Sequence, residues 1–169
     1  MRVKPALVIR AGLYVFLIPV VVAGYVPFRI LRAGGRVHLP PISIASALAF
    51  VCILLGSGIV AASVWAFLTE GHGTLAPIDP PKRVVVGGLY RFTRNPMYDG
   101  VLLVLLGEAW MFRSLPLLCY AAGFLVVVHL FVVIFEERAL ESRFGAEYRA
   151  YRAAVPRWGF RSRRSSNAR

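Results

Sequence analysis

The sequence predicts an all-α integral membrane protein, with about four transmembrane helices followed by a cytosolic helical segment. Three observations carry that reading. Hydrophobic residues make up 58% of the 169-residue chain and mean hydropathy is +0.66, richer than the roughly half-apolar make-up of a soluble domain. Long uncharged stretches recur, measured against the roughly 20 apolar residues that a helix needs to cross the hydrocarbon. Basic residues crowd into particular connections, as they do on the cytoplasmic side of membranes.

The first uncharged stretch is 11–28. Arg2, Lys4 and Arg10 precede it, as they would a signal sequence, yet no small-x-small cleavage site followed by a soluble domain appears, so it reads as an anchor. Gly34-Gly35 and Pro40-Pro41 break the chain into a loop, with His38 as a solvated loop histidine. The second span, 42–69, is long enough to tilt or to project from the bilayer. The connection 70–95 opens on Gly71-His72-Gly73 and holds Pro77, Pro80 and Pro81, which argue for an extended loop. Its apolar run Val84-Val85-Val86 favours an ordered, packed one.

Pro96 suits the first turn of a third helix, whose apolar part, 98–112, is short and contains Glu108. The connection 112–116 is too tight for anything but an antiparallel helical hairpin with the fourth span, 114–135, which contains His129. That helix continues to about Phe144, Gly145 breaks it, and 146–154 forms a short helix with Tyr148 and Tyr151 on one face. Pro156 ends it. The tail 161–169, four arginines with serines and no apolar run, reads as disordered and resting on anionic headgroups. The chain thus divides into two N-terminal spans (1–69), a loop, hairpin and C-terminal helices (70–160), and a basic tail (161–169).

Lys82, Arg83, Arg91 and Arg94 in the second connection, and nine arginines from Arg138 onward, place both regions in the cytoplasm. Four spans then put Arg29, Arg32 and Arg36 outside, against the same rule, so the first span's orientation stays open. The net charge of +12 belongs to a membrane surface rather than to nucleic acid. Cys52 and Cys119 lie in apolar spans as free thiols, with neither a zinc pattern nor a disulfide framework. Gly-rich nucleotide loops, a nucleophile elbow and a His-Glu-x-x-His helix are all missing.

The hairpin returns Glu136-Glu137 to the membrane face that carries Tyr90 to Tyr98, so two polar clusters become neighbours. Of the adjacent glutamates, one is expected to point into a site and one outward, unless both mark the helix's exit into water. Arg91 and Arg94, one turn apart if helical, suit a carboxylate or phosphate, or else lipid headgroups. Tyr90 and Tyr98 suit stacking on an aromatic base, or an interfacial belt. Glu108 is a costly intramembrane carboxylate, or sits near the far interface beside Arg113. His129, seven residues before Glu136, can share its face or bond a backbone carbonyl.

Gly88-x-Tyr90-Arg91-x-x-Arg94-Asn95-Pro96-x-Tyr98-x-Gly100, then Glu136-Glu137, Phe144-Gly145-x-x-Tyr148-x-x-Tyr151 and Val155-Pro156-Arg157 resemble the isoprenylcysteine carboxyl methyltransferase family. Phospholipid methyltransferases are similar in the same region. The match covers roughly 72–160 in order and spacing. The resemblance implies an integral membrane enzyme using S-adenosyl-L-methionine on a lipophilic, membrane-dissolved substrate, with a carboxylate as one candidate acceptor, and with the C-terminal helical segment closing over the cofactor site. It implies cofactor contacts at Lys82, Arg83, Val84, Val85, Tyr90, Asn95, Pro96, Met97, Tyr98, Glu136, Glu137, Tyr148 and Tyr151. Arg94, Asn95 and Glu136 are the catalytic candidates, and His129 and Glu108 the substrate candidates.

Two departures stand out. The family's usual histidine before the proline is Asn95, which cannot titrate. The arginine that prenylcysteine enzymes carry one turn before the acidic pair is Val132 here, with His129 nearby. Two alternatives follow: a membrane sterol-reductase-like enzyme using a reduced nicotinamide dinucleotide, and a non-catalytic membrane scaffold. Arginine far above lysine suggests a GC-rich bacterial genome and a plasma-membrane location, with the cofactor site facing the cytoplasm.

Overall fold

In the computed structural model, residues 19–35, 38, 40–70 and 83–159 are described. Among them every regular element is helical. A π turn (Val21–Tyr25) leads into α1 (Val26–Ala33). Pro27, at the start of α1, has no N–H for the preceding turn, which accounts for the widened turn before it. α2 (Ile44–Thr69) opens on a reciprocal cap, in which Ser46 N–H donates to Ser43 Oγ at 3.2 Å and Ser43 N–H to Ser46 Oγ at 2.8 Å.

A 3₁₀ turn (Gly88–Arg91) precedes α3 (Pro96–Met111), which begins at Pro96 as expected. α4 (Leu115–Phe131) is capped by Ser114 and runs through a second π turn (Val132–Glu136) into α5 (Glu137–Phe144). Gly145, at φ 53°, then turns the chain into α6 (Ala146–Ala154). Glycine is favoured at that φ because it has no Cβ to clash.

α2 and α3 lie very close. A Cβ on Gly56 would stand 2.6 Å from the Gly100 carbonyl oxygen, and one on Gly107 would stand 3.0 Å from the carbonyl oxygen of Ala49. Small residues allow this approach, as they do between membrane helices. α3 packs on α4 through Val101, Leu105 and Ala121, and Tyr120 Oη donates to the Val22 carbonyl at 3.1 Å.

Among the described residues, two helices are long and apolar enough to cross a membrane: Ile44–Ala66, and the continuous Leu115–Phe144. Only 11% and 22% of their apolar windows are buried, so their faces turn outward. The third expected span is α3, whose 16 residues rise about 24 Å. Most of the first expected span lies outside the described residues, as does the tail beyond Gly159.

Candidate functional site

The motif folds back at the N-terminus of α3. The 3₁₀ turn buries Tyr90 against Ala66 and Val85, and its phenol hydrogen-bonds Ser63 of α2. The chain leaves helical geometry after Arg91, so the two arginines diverge instead of forming the expected one-turn pair. Arg91 stays exposed, its Nε 3.4 Å from the Gly88 carbonyl. Arg94 turns inward, with only 9% of its side chain exposed.

What meets Arg94 is set by the π turn. Buried positions on the long helix step through Leu117, Ala121, Val128 and Val132, then jump five residues to Glu137. The Glu137 N–H donates to the Val132 carbonyl, the i−5 bond of a π turn. A regular α-helix would have brought Glu136 to that line. Glu137 is instead the buried carboxylate: its Oε1 accepts from Arg94 Nη1 at 2.9 Å and Arg157 Nε at 2.6 Å, and its Oε2 accepts from Arg157 Nη2 at 3.0 Å. Glu136, half-buried beside it, accepts from Tyr98 Oη at 3.3 Å. Neither glutamate turns outward, which corrects the expected inward–outward split; the added residue of the π turn is the reason.

Residues 155–159 form a strap across these groups. Arg94 N–H donates to the Pro156 carbonyl at 2.9 Å, and Asn95 Nδ2 donates to the Arg157 carbonyl at 3.1 Å. Thr93 Oγ1 is fully buried and lies 2.8 Å from Asp99 Oδ2. Trp158 Nε1 donates to His129 Nδ1 at 3.0 Å, and the Trp158 ring lies 6.5 Å from that of Tyr98. α6 docks on the same locus: Tyr151 Oη donates to the Tyr90 carbonyl at 2.7 Å, and Tyr148 Oη lies 3.3 Å from Arg94 Nη1. Burial raises the pKa of Tyr90, Tyr148 and Tyr151, so all three phenols stay protonated at neutral pH. The hydrogen bond to Glu137, more than charge alone, raises that of Arg157.

The fold therefore gathers Tyr90, Arg94, Asn95, Tyr98, Glu136, Glu137, Tyr148 and Tyr151, with His129 joined through Trp158; Pro96 and Met97 follow Asn95 in the first turn of α3. Val85 is buried beneath Tyr90, Val84 is half-buried and Arg83 is exposed. Lys82 lies outside the described residues. Glu108 is not brought in, being about 18 Å along α3 from Pro96. Sequence reasoning missed Arg157, Thr93, Asp99 and Trp158. Arg157 was visible in the motif Val155-Pro156-Arg157, but its partner Glu137 is settled by the π turn.

Two features suit a polar ligand. Glu136 makes a single hydrogen bond among the described residues, leaving most of its acceptor capacity open. Arg94 Nε is buried without a hydrogen-bond partner among them, beside an open cleft of about 450 Å³ next to Trp158.

The model of the family described as "Phospholipid methyltransferase" matches residues 44–147. A Haemophilus influenzae protein described as "Uncharacterized protein" is 43% identical over 63 residues, 37% of this chain and 98% of the relative. No solved structure matches. With the apolar helices exposed and the matched region spanning both long helices, Tyr90 to Tyr98 and the Glu136-Glu137 pair, the chain belongs to the phospholipid methyltransferase family of membrane methyltransferases.

Proposed function

We propose that the protein transfers a methyl group from S-adenosyl-L-methionine to a lipophilic acceptor dissolved in the bilayer, at a site facing the cytoplasm of a bacterial plasma membrane. The supporting observation is the contrast between adjacent carboxylates. Glu137 is saturated by two arginines and ties the segment before α3, α5 and the strap together, whereas Glu136 is held by one phenol and retains free lone pairs. Glu136 is thus the residue to bind the cofactor's ribose hydroxyls or ammonium. Its neighbours Asn95, Pro96, Met97 and Tyr98 form the adjoining wall, and Tyr148 and Tyr151 on α6 close the site from water.

When bound, the cofactor supplies an already activated methyl group. The protein's own task is alignment, which on its own can account for about 7–11 kcal/mol of a barrier. Asn95 is spent on the Arg157 carbonyl, so it fixes the strap rather than moving a proton. α3 and the helix that includes α1 would be the shorter spans of a four-span anchor, with residues 70–160 as the catalytic unit.

Calorimetry on detergent-purified protein tests this reading. S-adenosylhomocysteine is expected to bind saturably, reduced nicotinamide dinucleotide is not, and Glu136→Ala should weaken binding at least tenfold. Binding of the dinucleotide alone would establish the reductase reading. Binding of neither, in folded protein, would leave a non-catalytic scaffold.

A further inference from the structure

The pairing of Trp158 with His129 carries a consequence for the acceptor. An indole N–H only donates, so His129 Nδ1, 3.0 Å away, must present a lone pair. A neutral imidazole in that state carries its proton on Nε2, and an imidazolium could not accept the bond at all. Nε2–H has no partner among the described residues. A donor on a membrane helix is costly until something accepts from it. Val132, one turn nearer the acidic pair, is apolar and 1% exposed, so it offers a headgroup nothing.

His129 is also in the right place. Trp158 lies 6.1 Å from its ring and 6.5 Å from the ring of Tyr98, which donates to Glu136. His129 is therefore linked to the carboxylate assigned to the cofactor through two aromatic side chains, Trp158 and Tyr98.

We infer that His129 recognises the acceptor, donating from Nε2–H to an oxyanion of a lipid headgroup, and that Trp158 is the positioning residue that fixes its tautomer. This rests on the methyltransferase reading for the identity of the bound lipid as acceptor. Because Trp158 belongs to the strap, acceptor recognition is coupled to strap docking. The oxyanion is a carboxylate or a phosphate, and separate probes distinguish them.

The test uses ¹⁵N-histidine-labelled full-length protein in micelles, with His129 assigned by the loss of its signals in His129→Gln. Oleate, phosphatidic acid and oleylamine are titrated separately. The wild type should show the Nε2–H tautomer, and its signal should shift saturably with oleate or phosphatidic acid but not with oleylamine. Trp158→Phe should mix the tautomers and weaken that binding at least fivefold. His129→Gln, which keeps an N–H at similar reach, should retain anion affinity that His129→Leu loses. A proton on Nδ1, no shift with either anion, or an equal shift with the amine would overturn the inference. Saturable anion binding in folded protein that fails to bind S-adenosylhomocysteine would instead sink the methyltransferase reading and leave the lipid site standing.

Discussion

Two neighbouring glutamates do opposite work. Glu137 and Arg94 each expose only 9% of their side chains, so removing one leaves the other charged and buried. Such a loss typically costs about 3–5 kcal/mol. Glu137→Ala should therefore lower thermal stability sharply, read as a fall in Tm in detergent. Glu136→Gln should leave Tm nearly unchanged, because its amide oxygen still accepts the single bond from Tyr98, yet should reduce S-adenosylhomocysteine affinity at least tenfold through the lost charge. A large Tm loss at Glu136 and none at Glu137 would reverse these assignments. The types and spacing of the polar residues were legible in the sequence. Which glutamate meets the arginines was not, because Val132-Val133-Ile134-Phe135 is apolar throughout and no periodicity marks an inserted residue.

At the scale of elements, helix ends were readable because proline and glycine set them. α3 starts at Pro96, and Gly145 at φ 53° separates α5 from α6. The strap was not readable: after Pro156 there is no helical or strand pattern, and its contacts go to residues some 20 to 60 positions away. Gly100, one of the motif residues, proves to be a packing residue, since a Cβ there would stand 2.8 Å from the Gly56 carbonyl oxygen. Gly100→Ala should destabilise by about 1–3 kcal/mol through overpacking, measurable by thermal unfolding in micelles.

The docking of α6 predicts a pH dependence. Burial raises Tyr90 and Tyr151 above the ordinary phenol value of about 10, so their contribution is complete below that value. It falls as pH rises beyond it, where the unfolded chain ionises first. Tm should be flat from pH 7 to about 9.5 and decline above about 10, and Tyr151→Phe should make the decline shallower. A decline that sets in below neutrality with no alkaline limb would contradict this docking.

The whole molecule joins outward-facing apolar helices to one polar locus where α3, α5, α6 and the strap converge. That convergence follows from the tight hairpin between α3 and α4, which was foreseeable, and from the strap's return, which was not. The family match covers the long helices and the carboxylate pair, placing the cluster in a membrane methyltransferase. The most direct test is transfer of an isotopically labelled methyl group from S-adenosyl-L-methionine into solvent-extractable lipid, using purified protein in vesicles of bacterial polar lipid extract. Label should enter the lipid phase with wild type and fall at least tenfold with Glu136→Gln at unchanged Tm. Folded wild type that leaves all label in the aqueous phase, or equal labelling by the variant, would contradict the proposed site.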